Sequence, residues 1–129
     1  MEQVCGLDVA LAVVGGKWKP LVLFHLNAGP RRFGELKRLV GGISEKVLIQ
    51  HLRELVADGV LVRRDYQEVP PRVDYEMTPF GRSLADALVA LCEWGNANRE
   101  RVAQIAAGRD PAPGVAAGAH SAPLSAAGG

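Results

Sequence analysis

Apolar positions recur along the first hundred residues in short, separately punctuated groups. Leu7–Val14 is an apolar run ended by Gly15-Gly16, which predicts a first helix buried on most sides. Leu21, Leu23, Phe24 and Leu26 follow Pro20, a residue tolerated in the first turn of a helix, and Gly29-Pro30 stops that second helix. Phe33, Leu36, Leu39 and Val40 fall at i, i+3, i+6 and i+7, the spacing of a third, short amphipathic helix that Gly41-Gly42 ends. Ser44 is an N-cap candidate, and Glu45 suits the positive end of a helix dipole. The fourth helix then buries Leu48, Leu52, Leu55 and Val56, and Gly59 supplies its stop.

Beyond Gly59 the period changes. Val60–Tyr66 and Val73–Met77 read as strands, with Val69-Pro70-Pro71-Arg72 between them. Two prolines forbid ladder hydrogen bonds, so that segment is a hairpin tip. Thr78 or Pro79 opens a long last helix whose stripe holds Leu84, Leu88, Leu91 and Trp94 and extends to Val102 and Ile105. The two helices joined by Gly41-Gly42-Ile43 form a helix-turn-helix, and the hairpin after them is a wing. The expected fold class is mainly α with a small β-hairpin wing (α+β): a winged helix-turn-helix with a long C-terminal dimerisation helix.

With 129 residues the chain has room for one domain, expected over 1–107. Residues 108–129 are expected to be a disordered tail. From Pro111 onward, 14 of 19 residues are Ala, Gly or Pro and none is charged or aromatic, so little offsets the entropy of ordering it. Two cysteines, Cys5 and Cys92, cannot build a disulfide framework or a four-ligand zinc site. His25, His51 and His120 fall in three separate segments without metal-ligand spacing or a triad, and no Gly-rich phosphate loop follows a strand. An enzyme is therefore not expected, nor a metal or cofactor. No apolar run approaches the ~20 residues of a membrane span, and Met1–Gly6 does not read as a secretory leader. A cytoplasmic protein without a membrane partner is the expectation.

Charge sharpens the picture. The formal net charge is only +1, yet Gly16–Arg53 holds eight basic side chains against Glu35 and Glu45, a local excess of +6. Such a stretch in a neutral protein marks one face for polyanions; the plainer alternative is a solvated helical surface. With the core stripe of the fourth helix removed, Lys46, Ile49, Gln50 and Arg53 remain on the opposite arc. The second helix of a helix-turn-helix presents such an arc to the major groove. There Gln bonds adenine, Arg or Lys bonds guanine, and an apolar group touches a thymine methyl. Ser44 stands at the same helix's entry. Lys17 and Lys19, around Trp18, and Arg31 and Arg32, before the third helix, are placed for phosphates, and Arg72 at the wing tip for a flanking contact.

These motifs carry a resemblance. Gly15-Gly16-Lys17-Trp18-Lys19, Gly29-Pro30-Arg31-Arg32-Phe33-Gly34-Glu35-Leu36, Gly42-Ile43-Ser44-Glu45-Lys46-Val47-Leu48 and Leu52-Arg53-Glu54-Leu55 with Asp58-Gly59 are similar to the HxlR-type transcriptional regulators. So, above all, is Glu68-Val69-Pro70-Pro71-Arg72-Val73-Asp74-Tyr75 leading to Thr78-Pro79-Phe80-Gly81-Arg82. The resemblance runs from about Cys5 to Gly95. It implies a bacterial, MarR-like winged-helix regulator that works as a homodimer on palindrome-like operators in double-stranded DNA. It also implies that Cys5, matching a cysteine near the N-terminus of many members, senses an oxidant or electrophile. The thiolate is the reactive form, and a helix N-terminus favours it. Gly6 stands where the family commonly has proline, and Ile49 where it often has a small polar residue.

Within that frame Leu84, Leu88, Leu91 and Trp94 are the expected dimer interface, and a disulfide between Cys5 and the second subunit's Cys92 is one way oxidation could act. By itself Cys92 reads as a buried, inert thiol. Two alternatives stay open: a DNA-binding regulator controlled by a small apolar effector rather than a thiol, and a winged helix used for protein binding.

Overall fold

Why the helices start and stop where they do is visible in their caps. The computed structural model describes residues 5–109. The first helix, α1 (Gly6–Val14), is capped by Cys5, whose Sγ accepts from the Leu7 N–H. Helix α2 covers Trp18–Leu26, with Pro20 in its first turn. Arg31–Arg32 forms a two-residue strand, β1, and α3 follows over Phe33–Val40. The Arg32 N–H donates to Glu35 Oε1 at 2.9 Å, which ties off the entry to α3. Gly41 and Gly42 both take positive φ (68° and 75°), so the turn into the next helix needs residues without a Cβ. Helix α4 (Glu45–Ala57) begins at the expected cap: Ser44 Oγ accepts from the Val47 N–H at 3.1 Å.

Strands β2 (Leu61–Asp65) and β3 (Val73–Met77) form the hairpin, and β1 adds to its other side, so the antiparallel sheet runs β1-β3-β2. Arg32 pairs with Asp74, and Arg64 faces Asp74 from the opposite strand. A two-residue strand carries no periodicity, which is why the pattern of apolar positions does not announce β1.

Leu23 and Leu26 of α2, Leu36 of α3, Leu48, Leu52 and Leu55 of α4, and Val60 and Leu61 at the hairpin's start are fully buried together with Val22. This core holds α3 and α4 as a helix-turn-helix with a wing, the expected fold class. The chain divides between Ala85 and Asp86 into two compact units.

Two expectations change. Helix α1 is not buried on most sides: Leu7, Val9 and Leu11 are exposed and only Val14 is buried. Its apolar residues run round the helix, and one covered side shelters only part of them. The last helix is also not continuous. It comprises α5 (Pro79–Ala97) and α6 (Arg99–Ala107), separated at Asn98. There the backbone leaves helical geometry (φ −122°, ψ 23°), and the Asn98 side-chain amide donates to the Trp94 carbonyl at 2.8 Å. The Asn98 main-chain N–H donates to the same carbonyl at 3.1 Å, and a side chain bonding back to the carbonyl four residues earlier often bends a helix. The proposed tail lies, from residue 110 onward, outside the described residues.

Candidate nucleic-acid interface

The outer face of α4 is the centre of the site. Lys46, Ile49, Gln50 and Arg53 recur at i, i+3, i+4 and i+7, and all four are exposed on the side opposite the buried Leu48, Leu52 and Leu55. Lys46 and Arg53 make no ion pair or hydrogen bond among the described residues, so their charges face outward uncompensated. Together with Glu45 and Glu54 these residues line a shallow surface hollow. Ser44, the cap, stands at the entry of the same helix.

Other predicted cations are differently engaged. Lys17 Nζ lies 4.7 Å above the Trp18 ring. Lys19, expected to face a phosphate, instead sets its ammonium 2.8 Å from Glu54 Oε1, and its side chain is only 13% exposed. Arg31 is half-buried: Nε donates to the His25 carbonyl at 3.0 Å and a terminal nitrogen lies 3.9 Å from Glu35. Lys37 donates to the Ile43 carbonyl at 3.4 Å, bracing the turn between α3 and α4.

At the wing, Asp74 is the buried acid around which two arginines gather. Arg32 Nε is 3.8 Å from one carboxylate oxygen, and Arg72 donates to the other at 3.4 Å. Arg32 remains well exposed beside that anchor. Arg72 is folded back, its guanidinium 4.1 Å from the Tyr66 ring centroid, rather than extended from the hairpin tip. Arg64 pairs with Glu76 at 2.9 Å, so the wing's charges are cross-braced along its strands.

Sequence reasoning missed the two acids that arrange these bases, Glu54 and Asp74. The i, i+4 spacing of Gln50 and Glu54 was an available signal. The Lys19–Glu54 pair was not, because it joins two helices distant in the chain.

Away from this face, Cys5 is exposed and Cys92 half-buried, and both are free thiols. Of the expected dimer residues, Leu84 and Leu88 are half-buried while Leu91 and Trp94 are exposed at 65% and 58%. Among the described residues no group of three or more His, Cys, Asp or Glu is placed to hold a metal ion, and no single helix is long and apolar enough to cross a membrane.

The HxlR-like helix-turn-helix family model matches residues 13–103. The chain belongs to this family. The HxlR match takes in the whole helix-turn-helix, the wing and α5. Among its relatives, the uncharacterized HTH-type transcriptional regulator YkvN of Bacillus subtilis (strain 168) is 52% identical over 91 residues, 70% of this chain and 77% of that protein. Among solved structures, the redox regulator HypR in its reduced form is similar with a TM-score of 0.73 at 39% identity, covering 78% of this chain and 99% of that one. Its oxidised form gives 0.70 at 41% identity, covering 73% and 97%. A MarR-family regulator from Enterococcus faecalis V583 gives 0.67 at 39% identity, over 81% and 94%. This HxlR-type, MarR-like chain is thus a transcriptional regulator and not an enzyme, and DNA is its partner.

Proposed function

We propose that this regulator acts in the cytoplasm as a homodimer on palindrome-like operators, with α4 in the major groove. The observation that carries the reading is the arc of Lys46, Ile49, Gln50 and Arg53, with Lys46 and Arg53 uncompensated, on the outer face of the second helix of the helix-turn-helix. Gln50 and Arg53, with Lys46 and Ser44, read base edges, and Ile49 meets a thymine methyl. Lys17, Arg31 and Arg32 position the protein on phosphates, and Arg72 supports the wing's flanking contact.

The test is binding of the full chain to duplexes enriched from a random library, with scrambled duplex alongside. Gln50→Ala is expected to lose about 1–3 kcal/mol of discrimination at one base pair per half-site. Equal weakening on enriched and scrambled DNA would overturn the assignment of Gln50.

Regulation is proposed to act through Cys5. It is exposed at the very start of α1, and the chain is similar to a redox regulator solved in both reduced and oxidised forms. Oxidation by a two-electron thiol oxidant would join Cys5 of one subunit to Cys92 of the other with loss of two protons. Modification of Cys5 by an electrophile would act without that bond.

A further inference from the structure

Glu54 has no place in the reading of α4 as a base-contacting helix, yet it is the most connected side chain on that face. Oε1 lies 2.8 Å from Lys19 Nζ and 3.4 Å from His51 Nδ1. Oε2 accepts from Gln50 Nε2 at 3.4 Å. Lys19 comes from the first turn of α2, so one carboxylate ties the supporting helix to the one that carries Gln50.

An ionised carboxylate only accepts hydrogen bonds. It therefore selects the NH2 end of the Gln50 amide and turns the carbonyl oxygen outward, with one amide hydrogen still available. That leaves one acceptor and one donor, the pair that adenine's N6 and N7 require. The ammonium of Lys19 keeps Glu54 ionised, and so holds its proton affinity down, with the Gln50 contact adding to the effect. It also offsets a negative charge that would otherwise stand among phosphates. The pair sets a nearly covered ammonium against a partly exposed carboxylate, and its consequence for the face of α4 is geometric.

We propose that Glu54, held by Lys19, is a positioning residue that fixes the orientation of the Gln50 amide and thereby the base preference of α4. The proposal rests on the reading that α4 contacts bases. It also replaces the phosphate role expected for Lys19 with one inside the protein.

The test uses the full chain, Glu54→Gln and Lys19→Met, with circular dichroism to establish that each variant folds. Each is selected against a library of random duplexes. Affinity is then measured on the parent's enriched duplex, on its single-base-pair variants and on scrambled duplex across a salt series. Both variants should keep the parent motif except at one base pair per half-site, where preference falls by about threefold to tenfold. Gln50→Ala should lose that same preference, and adding Glu54→Gln to it should change nothing more. Lys19→Met combined with Glu54→Gln, which removes the pair as a neutral unit, should leave the salt dependence as steep as the parent's.

A Lys19→Met, Glu54→Gln double variant that loses affinity for every duplex alike, with a flatter salt dependence, would place Lys19 on a phosphate and overturn the proposal. So would two variants that retain the parent preference at every position. A parent chain that enriches no motif would instead overturn the base-contact reading beneath it, so the two failures are distinguishable.

Discussion

Single positions in the Thr78-Pro79-Phe80-Gly81 segment show how a family-like motif reduces to contacts. Thr78 Oγ1 donates to the Gly59 carbonyl at 2.6 Å and accepts from the Gly81 N–H at 3.0 Å, so one hydroxyl caps α5 and ties it to the end of α4. A Cβ on Gly81 would stand 2.0 Å from the Val60 carbonyl oxygen, a backbone atom that cannot step aside. Gly81→Ala is therefore expected to destabilise by at least about 2 kcal/mol, lowering the melting temperature by roughly 10 °C. Gly34 in α3 has open space around its Cβ position, so Gly34→Ala should be neutral or stabilising by about 0.5–1 kcal/mol. Thermal unfolding of the two variants side by side separates the effect of this contact from a general intolerance of alanine. His25 gives a second prediction at this scale. Its Nε2 is buried without a hydrogen-bond partner among the described residues, and burial, aided by the charge of Arg31, holds its pKa below the usual value. The unfolded chain therefore binds this proton more readily than the folded one. Stability from His25 is complete above about pH 6.5 and declines as pH falls below it. His25→Phe keeps the edge-on ring contact with Phe24 and should flatten melting temperature against pH across that window. An unchanged slope would mean that another group titrates there.

Elements were legible in proportion to how much periodic apolar pattern each one carries. Helix α4 was readable from end to end because Ser44 caps it, Leu48, Leu52 and Leu55 mark its buried side, and Gly59 closes it. Strand β3 was readable to the residue, whereas β1 has two residues and owes its existence to β3 pairing alongside it. The break at Asn98 escaped because the apolar stripe runs across it, while the interruption coincides with a side chain bonding back to the Trp94 carbonyl, which carries no periodic signal. The candidate site was legible in the same uneven way. The arc on α4 follows from helical spacing alone, so Lys46, Ile49, Gln50 and Arg53 could be picked out without a structure. The partners of Lys19 and Arg72 could not, since Glu54 and the Asp74–Tyr66 pair are brought to them only by tertiary packing. Charge counting has the same blind spot: it treats Lys19 like Lys46, although one ammonium is paired and nearly covered and the other is open.

For the molecule as a whole, the exposed apolar side chains bear on assembly. Leu7, Val9 and Leu11 lie bare on α1, and Leu91 and Trp94 on α5. Apolar exposure on each of these helices is what an interaction surface offers, and the proposed palindrome-like operator calls for a second copy of the same chain. Two recognition helices one helical turn of DNA apart, ~34 Å, then add their contacts, which a monomer cannot do. Light scattering of the reduced chain at micromolar concentration is expected to give the dimer mass. Leu91→Glu combined with Trp94→Glu should give the monomer mass, and affinity for a two-half-site duplex should fall to that for a single half-site. Were the double variant to remain dimeric, α5 would not be the interface and the bare face of α1 would become the first place to look. The thiol switch is tested on the same assembly. Mild oxidation should alter operator binding reversibly in the parent and leave Cys5→Ser unaffected. A dimer band on a non-reducing gel should disappear in both Cys5→Ser and Cys92→Ser if the two thiols join across subunits. A band lost only with Cys5→Ser would instead mean that two copies of Cys5 meet. No band in the parent, with DNA binding still altered, would assign the response to modification of Cys5 alone. A Cys5→Ser protein that responds like the parent would exclude the thiol as the sensor.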